Sequence, residues 1–201
     1  MVNLKKYVYF FSFLLLLLAH TTFAATTVGE YSKNPLPQVF CESHYHGGLE
    51  EFMLDNGIFH AKTKKDISYS YNYVDLNNDG TDEIIALVFG NKMKGSGYGA
   101  TLMIYNASST GLNLINIYYN VMQPVIITDA ITNNYKDIVV STQSSLNDYS
   151  YCLLQYKNGS YSLALKNCKK LDSSYALTGK EILTDASGTY GTKQPLQIFT
   201  I

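Results

Sequence analysis

ISYSYNYVDLNNDGTDEIIALVF, residues 67–89, is the stretch whose reading decides the fold. Ile67, Tyr69, Tyr71 and Tyr73 alternate with Ser68, Ser70 and Asn72, the period of two of a strand with unlike faces. Glu83–Phe89, rich in Ile, Val and Phe, reads as a second strand. Between them lies a short polar loop with a glycine, Asp75-Leu76-Asn77-Asn78-Asp79-Gly80-Thr81-Asp82. Strand, tight loop, strand predicts an antiparallel pair.

The same pattern extends to the C-terminal side. Ala100–Tyr105, Leu112–Tyr118, Pro124–Thr128, Lys136–Ser141, Tyr149–Tyr156 and Ser160–Leu165 are further predicted strands, with turns at Asn106–Gly111 and Asn133-Asn134. Residues 169–201 are polar and weakly periodic, ending in a short predicted strand at Gln197–Ile201. Toward the N-terminus, Gln38–Asn56 holds a short helix that Gly47-Gly48 interrupts or delays. The expected fold is therefore mainly β (α+β), an antiparallel, sandwich-like domain over residues 38–201 with one N-terminal helix.

Residues 25–37 are polar, contain two prolines and read as a leader. Residues 1–24 read as a signal peptide. Lys5 and Lys6 are its positive region, Tyr7 to Ala19 an apolar run of about thirteen residues, and Thr22-Phe23-Ala24 a cleavage site. The apolar run is short for a span of roughly 20 residues, and no stop-transfer pattern or lipid-accepting cysteine follows. An exported protein, periplasmic or secreted, with no membrane span after cleavage is expected. Losing Lys5 and Lys6 from 15 lysines leaves 13 against 16 acids, a net charge of −3. With no arginine anywhere, nucleic acid is not an expected partner.

Three cysteines remain after cleavage: Cys41, Cys152 and Cys168. An oxidising compartment permits a bridge, and Cys152 with Cys168 is the first choice, because they flank a hairpin-like segment turning at Asn158-Gly159. Pairing about that turn sets Cys152 opposite Leu165, so the bridge requires a bulge or a bent end. Cys41 with either partner stays open.

The loop carries the most specific chemistry. Its order, D-x-N-x-D-G-x-x-E, offers the side chains of Asp75, Asn77 and Asp79, the backbone oxygen of Thr81 and the carboxylate of Glu83. Ca²⁺ takes six to eight oxygens at ~2.3–2.6 Å, and Gly80 permits the sharp turn that wraps them around one point. Asp82 points outward on this reading. It is not an EF-hand, whose bidentate Glu would fall at Ala86 and whose flanks are helices. Asx-rich turns with glycine also cap hairpins with no metal. The repulsion among the three carboxylates of that ligand set, Asp75, Asp79 and Glu83, favours an ion, in a structural role, since a saturated oxygen cage leaves no open position for substrate.

Strand–D-x-N-x-D-G–strand resembles the calcium loops of FG-GAP and VCBS-type repeats, known from integrin α-chain propellers. One copy cannot build a propeller, so the likeness is confined to the loop. A wider likeness over residues 65–170 is to exported bacterial proteins of unassigned function. It rests on Val74–Phe89, on Lys94-Gly95-Ser96-Gly97-Tyr98-Gly99-Ala100-Thr101-Leu102, on Gln123-Pro124-Val125-Ile126 and on Asn134-Tyr135-Lys136-Asp137-Ile138-Val139. In that family the Gly/Ser loop often carries two cysteines, where Lys94 and Ala100 stand here, so that bridge is absent. The resemblance implies a small exported β-rich domain and no catalytic activity.

The Gly/Ser loop, with Lys94, Ser96, Gly97 and Tyr98, is long for a hairpin and is the expected contact for an unidentified protein or envelope partner. An inhibitor that binds an enzyme through this loop is one alternative. Another, from a different class, is a small metal-dependent hydrolase. His44, His46 and His60 fall within seventeen residues, with Glu42, Glu50 and Glu51 among them, and His44-x-His46 is a spacing Zn²⁺ sites use. No H-E-x-x-H pattern supports it, and a solvated loop around Gly47-Gly48 accounts for the same residues. The 18 tyrosines follow from strand propensity, with a glycan-stacking groove as the sharper reading.

Overall fold

The computed structural model describes residues 25–56, 67–90, 99–108, 111–145, 148–162, 168–184 and 194–195. In chain order the elements begin with β1 (Thr26–Thr27), β2 (Gln38–Phe40), α1 (Gly47–Asp55), β3 (Ser68–Val74) and β4 (Glu83–Phe89). Next come β5 (Ala100–Ser108), β6 (Gly111–Thr132), β7 (Tyr135–Ser145), β8 (Asp148–Leu154), β9 (Tyr156–Lys157) and β10 (Ser160–Tyr161). The last are β11 (Lys169–Leu171), β12 (Ala176–Leu177), β13 (Lys180–Thr184) and β14 (Gln194–Pro195). The mainly β, antiparallel architecture with one short helix is as expected; the β2–β13 pair alone is parallel among the described strands.

β3 to β8 form a meander in which each strand pairs with the next. β4, between β3 and β5, is buried on both sides, which is why its sequence is an almost unbroken apolar run. Ile85 and Leu87 enter the main core with Leu102 and Ile104 of β5, Ile138 and Val140 of β7, and Cys152 and Leu154 of β8. Ile84, Ala86 and Val88 face the other way, onto Tyr69, Tyr71 and the helix residues Leu49 and Met53. Both helix side chains are wholly buried, a gain of about 1.5–3 kcal/mol each.

β6 turns the sheet over on itself. Its first half pairs with β5, from Ser108↔Gly111 to Ala100↔Val121. Its second half lies between β7 and β13, with Ile126 opposite both Val139 and Glu181. The sequence reading had two strands here, separated before Pro124. Instead one strand of 22 residues runs through a cis Gln123–Pro124 bond. The proline falls in the register shift between Met122 and Val125, so its missing N–H breaks no ladder bond.

β13 then carries β2, and the chain just beyond β2 returns to β3: the Glu42 N–H donates to the Tyr71 carbonyl at 2.9 Å. β3–β4–β5–β6–β13–β2 is thus a ring closed at β3. Two expectations change with this closure. Residues 169–201 contain a buried strand, β13, and residues 25–37 are packed rather than a free leader. Tyr31 and Leu36 are buried against Ile126, Val139 and Leu153, and β1 pairs with β12. The helix starts at the Gly47-Gly48 pair, after its cap, and Gln38–Phe40 before it is strand.

The Cys152–Cys168 bridge is formed, with Cα atoms 5.6 Å apart. Its register differs from the hairpin expectation. The Asn158-Gly159 turn joins only the short β9 and β10, while β11 comes back to pair with β8, Lys170 opposite Cys152. Among the described residues no helix is long and apolar enough to cross a membrane. His60, Lys94, Ser96, Gly97, Tyr98 and the predicted strand at Gln197–Ile201 lie outside the described residues.

Candidate functional site

Val74 and Glu83 face each other at the end of the β3–β4 pair and hold the mouth of the loop. Leu76, fully buried, pins it to the main core. Beyond it, Asn78 and Gly80 take left-handed backbone conformations, φ 56° and 83°, which Asn and Gly accommodate best. The side chains then satisfy the loop's own N–H groups. Asp75 accepts from the Asp79 N–H at 3.2 Å on Oδ1 and from the Gly80 N–H at 3.0 Å on Oδ2. Asn77 Oδ1 accepts from the Asp79 N–H at 2.9 Å, and Asp79 Oδ1 from the Thr81 N–H at 2.7 Å. These are Asx turns in series.

Glu83 closes the loop from the inside. It is 4% exposed, and its Oε2 accepts the Leu76 N–H at 2.8 Å. Burial pushes its carboxyl up from the ordinary range, and the charges of Asp79 and Asp75 add to that. Asp79 is held low by the Thr81 N–H and by Asn77. The Asn77 Nδ2 lies among the acids, donating to Asp79 Oδ2 at 2.9 Å and to Glu83 Oε1 at 3.4 Å. Asp82 is exposed, as read from the sequence.

The donor chemistry suits a hard cation: every expected ligand is an oxygen, and a carboxylate oxygen that accepts one N–H keeps a second lone pair. The arrangement is not a closed cage. Among the described residues no three His, Cys, Asp or Glu side chains are grouped so as to hold a metal ion. An amide nitrogen, rather than an amide oxygen, stands between Asp79 and Glu83.

Neighbours that the sequence reading did not connect with the loop buttress it. Lys136 donates from its backbone N–H to the Leu76 carbonyl and from Nζ to the Asp75 carbonyl, each at 2.7 Å. Tyr135 stacks on Tyr156 with ring centroids 3.7 Å apart, and Tyr161 meets both edge-on. The Tyr161 hydroxyl donates to the Lys136 carbonyl at 2.9 Å, and its backbone is held by Asn116. These tyrosines pack the support of the loop. Beneath them Asp137, 2% exposed, accepts from Gln155 on Oδ2, while its Oδ1 has no hydrogen-bond partner among the described residues.

The histidine segment has another use. His46 is the N-cap of α1, its Nδ1 accepting the Leu49 N–H at 3.0 Å. Its own N–H donates to the Tyr69 hydroxyl at 2.8 Å, and that hydroxyl donates to buried Glu50 at 2.9 Å. His44 is exposed, its Nδ1 3.0 Å from the Ser43 hydroxyl. The described residues therefore do not bring His44, His46 and Glu50 to one point. The only signal for the cap was a polar residue just ahead of an apolar helical run.

The chain matches no family model, no curated protein and no solved structure.

Proposed function

We propose that this chain is an exported, non-enzymatic interaction protein whose loop over residues 75–83 takes a structural calcium ion. The observation that carries the reading is the set of oxygen-bearing side chains about one turn, pinned to the core by Leu76 and to β7 by Lys136. Asp75, Asn77, Asp79, Glu83 and the Thr81 carbonyl would hold the ion, which would supply neutralisation of the clustered charge. Asn77 would have to present Oδ1 in place of Nδ2. The Asp79 N–H would still have Asp75 Oδ1 as acceptor.

Two further observations support the reading. The Cys152–Cys168 bridge suits the oxidising side of a membrane, in keeping with the N-terminal signal pattern. His46, one of the three histidines (His44, His46 and His60) of the metal-dependent hydrolase alternative, caps the helix through Nδ1, so the binding-protein reading is preferred. The partner contact is assigned to the Gly/Ser loop about Lys94, Ser96, Gly97 and Tyr98, on its sequence alone.

Thermal unfolding in EGTA, followed by Ca²⁺, Mg²⁺ or Zn²⁺, tests the ion. A ligand at 100 times its dissociation constant stabilises by about 2.7 kcal/mol, which raises the midpoint by roughly 5–10 °C at this size. The expected result is a rise with Ca²⁺ that Asp79→Ala abolishes. A rise with Zn²⁺ alone, lost in His44→Ala, would overturn the reading in favour of the histidine segment.

A further inference from the structure

The end of β3 nearest the loop carries an aromatic surface that the fold does not cover. Tyr73 is 45% exposed, and its ring stands 5.6 Å from Tyr71 at 82° and 6.1 Å from His46 at 45°. Tyr45, beside His46 in the chain, and Phe40, whose carbonyl is bound to Asn72, are more than half exposed or close to it, at 50% and 57%. Most exposed hydrophobic residues stand singly, whereas these lie on three adjoining segments: β2, the stretch before the α1 cap, which Glu42 and His46 hold against Tyr71, and β3.

Two acids border this surface. Glu42 is tied by its N–H to the Tyr71 carbonyl, and Asp82 precedes Glu83, the residue paired with Val74. Among the described residues neither carboxylate has a hydrogen bond or ion pair. By register Asp82 stands two residues from Ile84, the cross-strand partner of Tyr73. The one cation–ring contact among the described residues lies elsewhere, Lys169 over Tyr175 at 5.9 Å. Among the described residues the surface thus offers negative ring faces and two carboxylates, with no cation resting on it.

We propose that this surface, centred on Tyr73 between Glu42 and Asp82, docks a lysine-bearing segment of a partner protein. An ammonium over the Tyr73 ring gains from the ring quadrupole, and its methylene stem covers Phe40 or Tyr45. The carboxylates supply the charge complement and the bias against acidic partners. This names the partner chemistry of the interaction protein proposed above and rests on that reading, but it does not need an ion in the loop.

The test is calorimetric titration of the full chain with unlabelled hexalysine, hexaglutamate and a neutral chitin hexamer, at 50 mM and 500 mM NaCl. Hexalysine is expected to bind, more weakly at high salt because the screening length shortens. Tyr73→Ser should weaken it about two- to fivefold, from the loss of an exposed cation–ring contact. Glu42→Gln with Asp82→Asn should weaken it roughly tenfold at the lower salt, from the loss of two screened surface charges. These side chains are exposed or half-buried at the surface, and unchanged unfolding midpoints would verify that the variants fold. Absence of hexalysine binding, equal affinity in all variants, or preference for the chitin hexamer or hexaglutamate would each overturn the proposal. So would concentration-dependent dimerisation lost in Tyr73→Ser, which would give the surface to a second copy. A Ca²⁺-dependent midpoint shift without hexalysine binding would sink this surface and leave the calcium reading standing.

Discussion

Asn72 does at one position what several ladder bonds do elsewhere. It is 2% exposed on β3, donates from Nδ2 to the Phe40 carbonyl at 2.7 Å and accepts the Leu183 N–H on Oδ1 at 2.7 Å. Leu183 has φ 63°, uncommon outside glycine, which turns its N–H out of the β13 ladder toward that amide. Its carbonyl in turn accepts from Gln123, next to Pro124. Replacing Asn72 by Ala leaves two groups without partners, one of them buried, at about 1–3 kcal/mol for a buried group. We expect Asn72→Ala to lower the unfolding midpoint by roughly 5–10 °C, measured by circular dichroism. Unchanged stability would show that water replaces the amide at no cost. The period-two pattern put Asn72 on the polar face of its strand. That the polar face turns inward was not legible, because its partners lie at Phe40 and Leu183, far along the chain.

At the scale of elements, α1 is short and depends on what holds its first turn. The His46 cap and the burial of Leu49 and Met53 stabilise nine residues that would not be helical alone. His46→Ala should cost about 1 kcal/mol and lower the midpoint by a few degrees, whereas His46→Asn keeps an acceptor and should recover most of it. Equal loss in both variants would attribute the effect to the ring's packing against Tyr71, 5.5 Å away, instead of to the cap. The strand of β13 shows the reverse case. Lys180–Thr184 is too short to announce itself by periodicity, yet it is almost wholly buried because the second half of β6 needs a neighbour where β5 has ended.

For the whole molecule, the tyrosines set the alkaline limit. Burial pushes Tyr31, Tyr105, Tyr118 and Tyr161 far above the ordinary value of 10.0, with Glu181 adding to the shift of Tyr31. Tyr71 is pushed up to about 12, chiefly by burial, with Tyr73 and Glu42 adding to it. A folded value above the unfolded one favours the protonated fold. That stability is whole below pH 10 and is lost as the pH rises toward the folded values. Absorbance at 295 nm should therefore rise in a cooperative step between about pH 10 and 12 or above, together with loss of the β signal. Non-cooperative ionisation completed near pH 10 with the fold intact would contradict this burial.

The strand–loop–strand at residues 67–89, the β class, the Asx character of the loop and the Cys152–Cys168 choice could all be read from local pattern. Alternation, turn residues and spacing act between neighbours, so the chain carries them without its fold. Tertiary structure alone decided how the sheet closes, through β13 and β2 onto β3, and that residues 25–37 cover its outer face. It also tied the His46 cap to the Tyr69 hydroxyl on β3. Each of these depends on which distant backbone and side-chain groups must share a buried partner, and no local period records that.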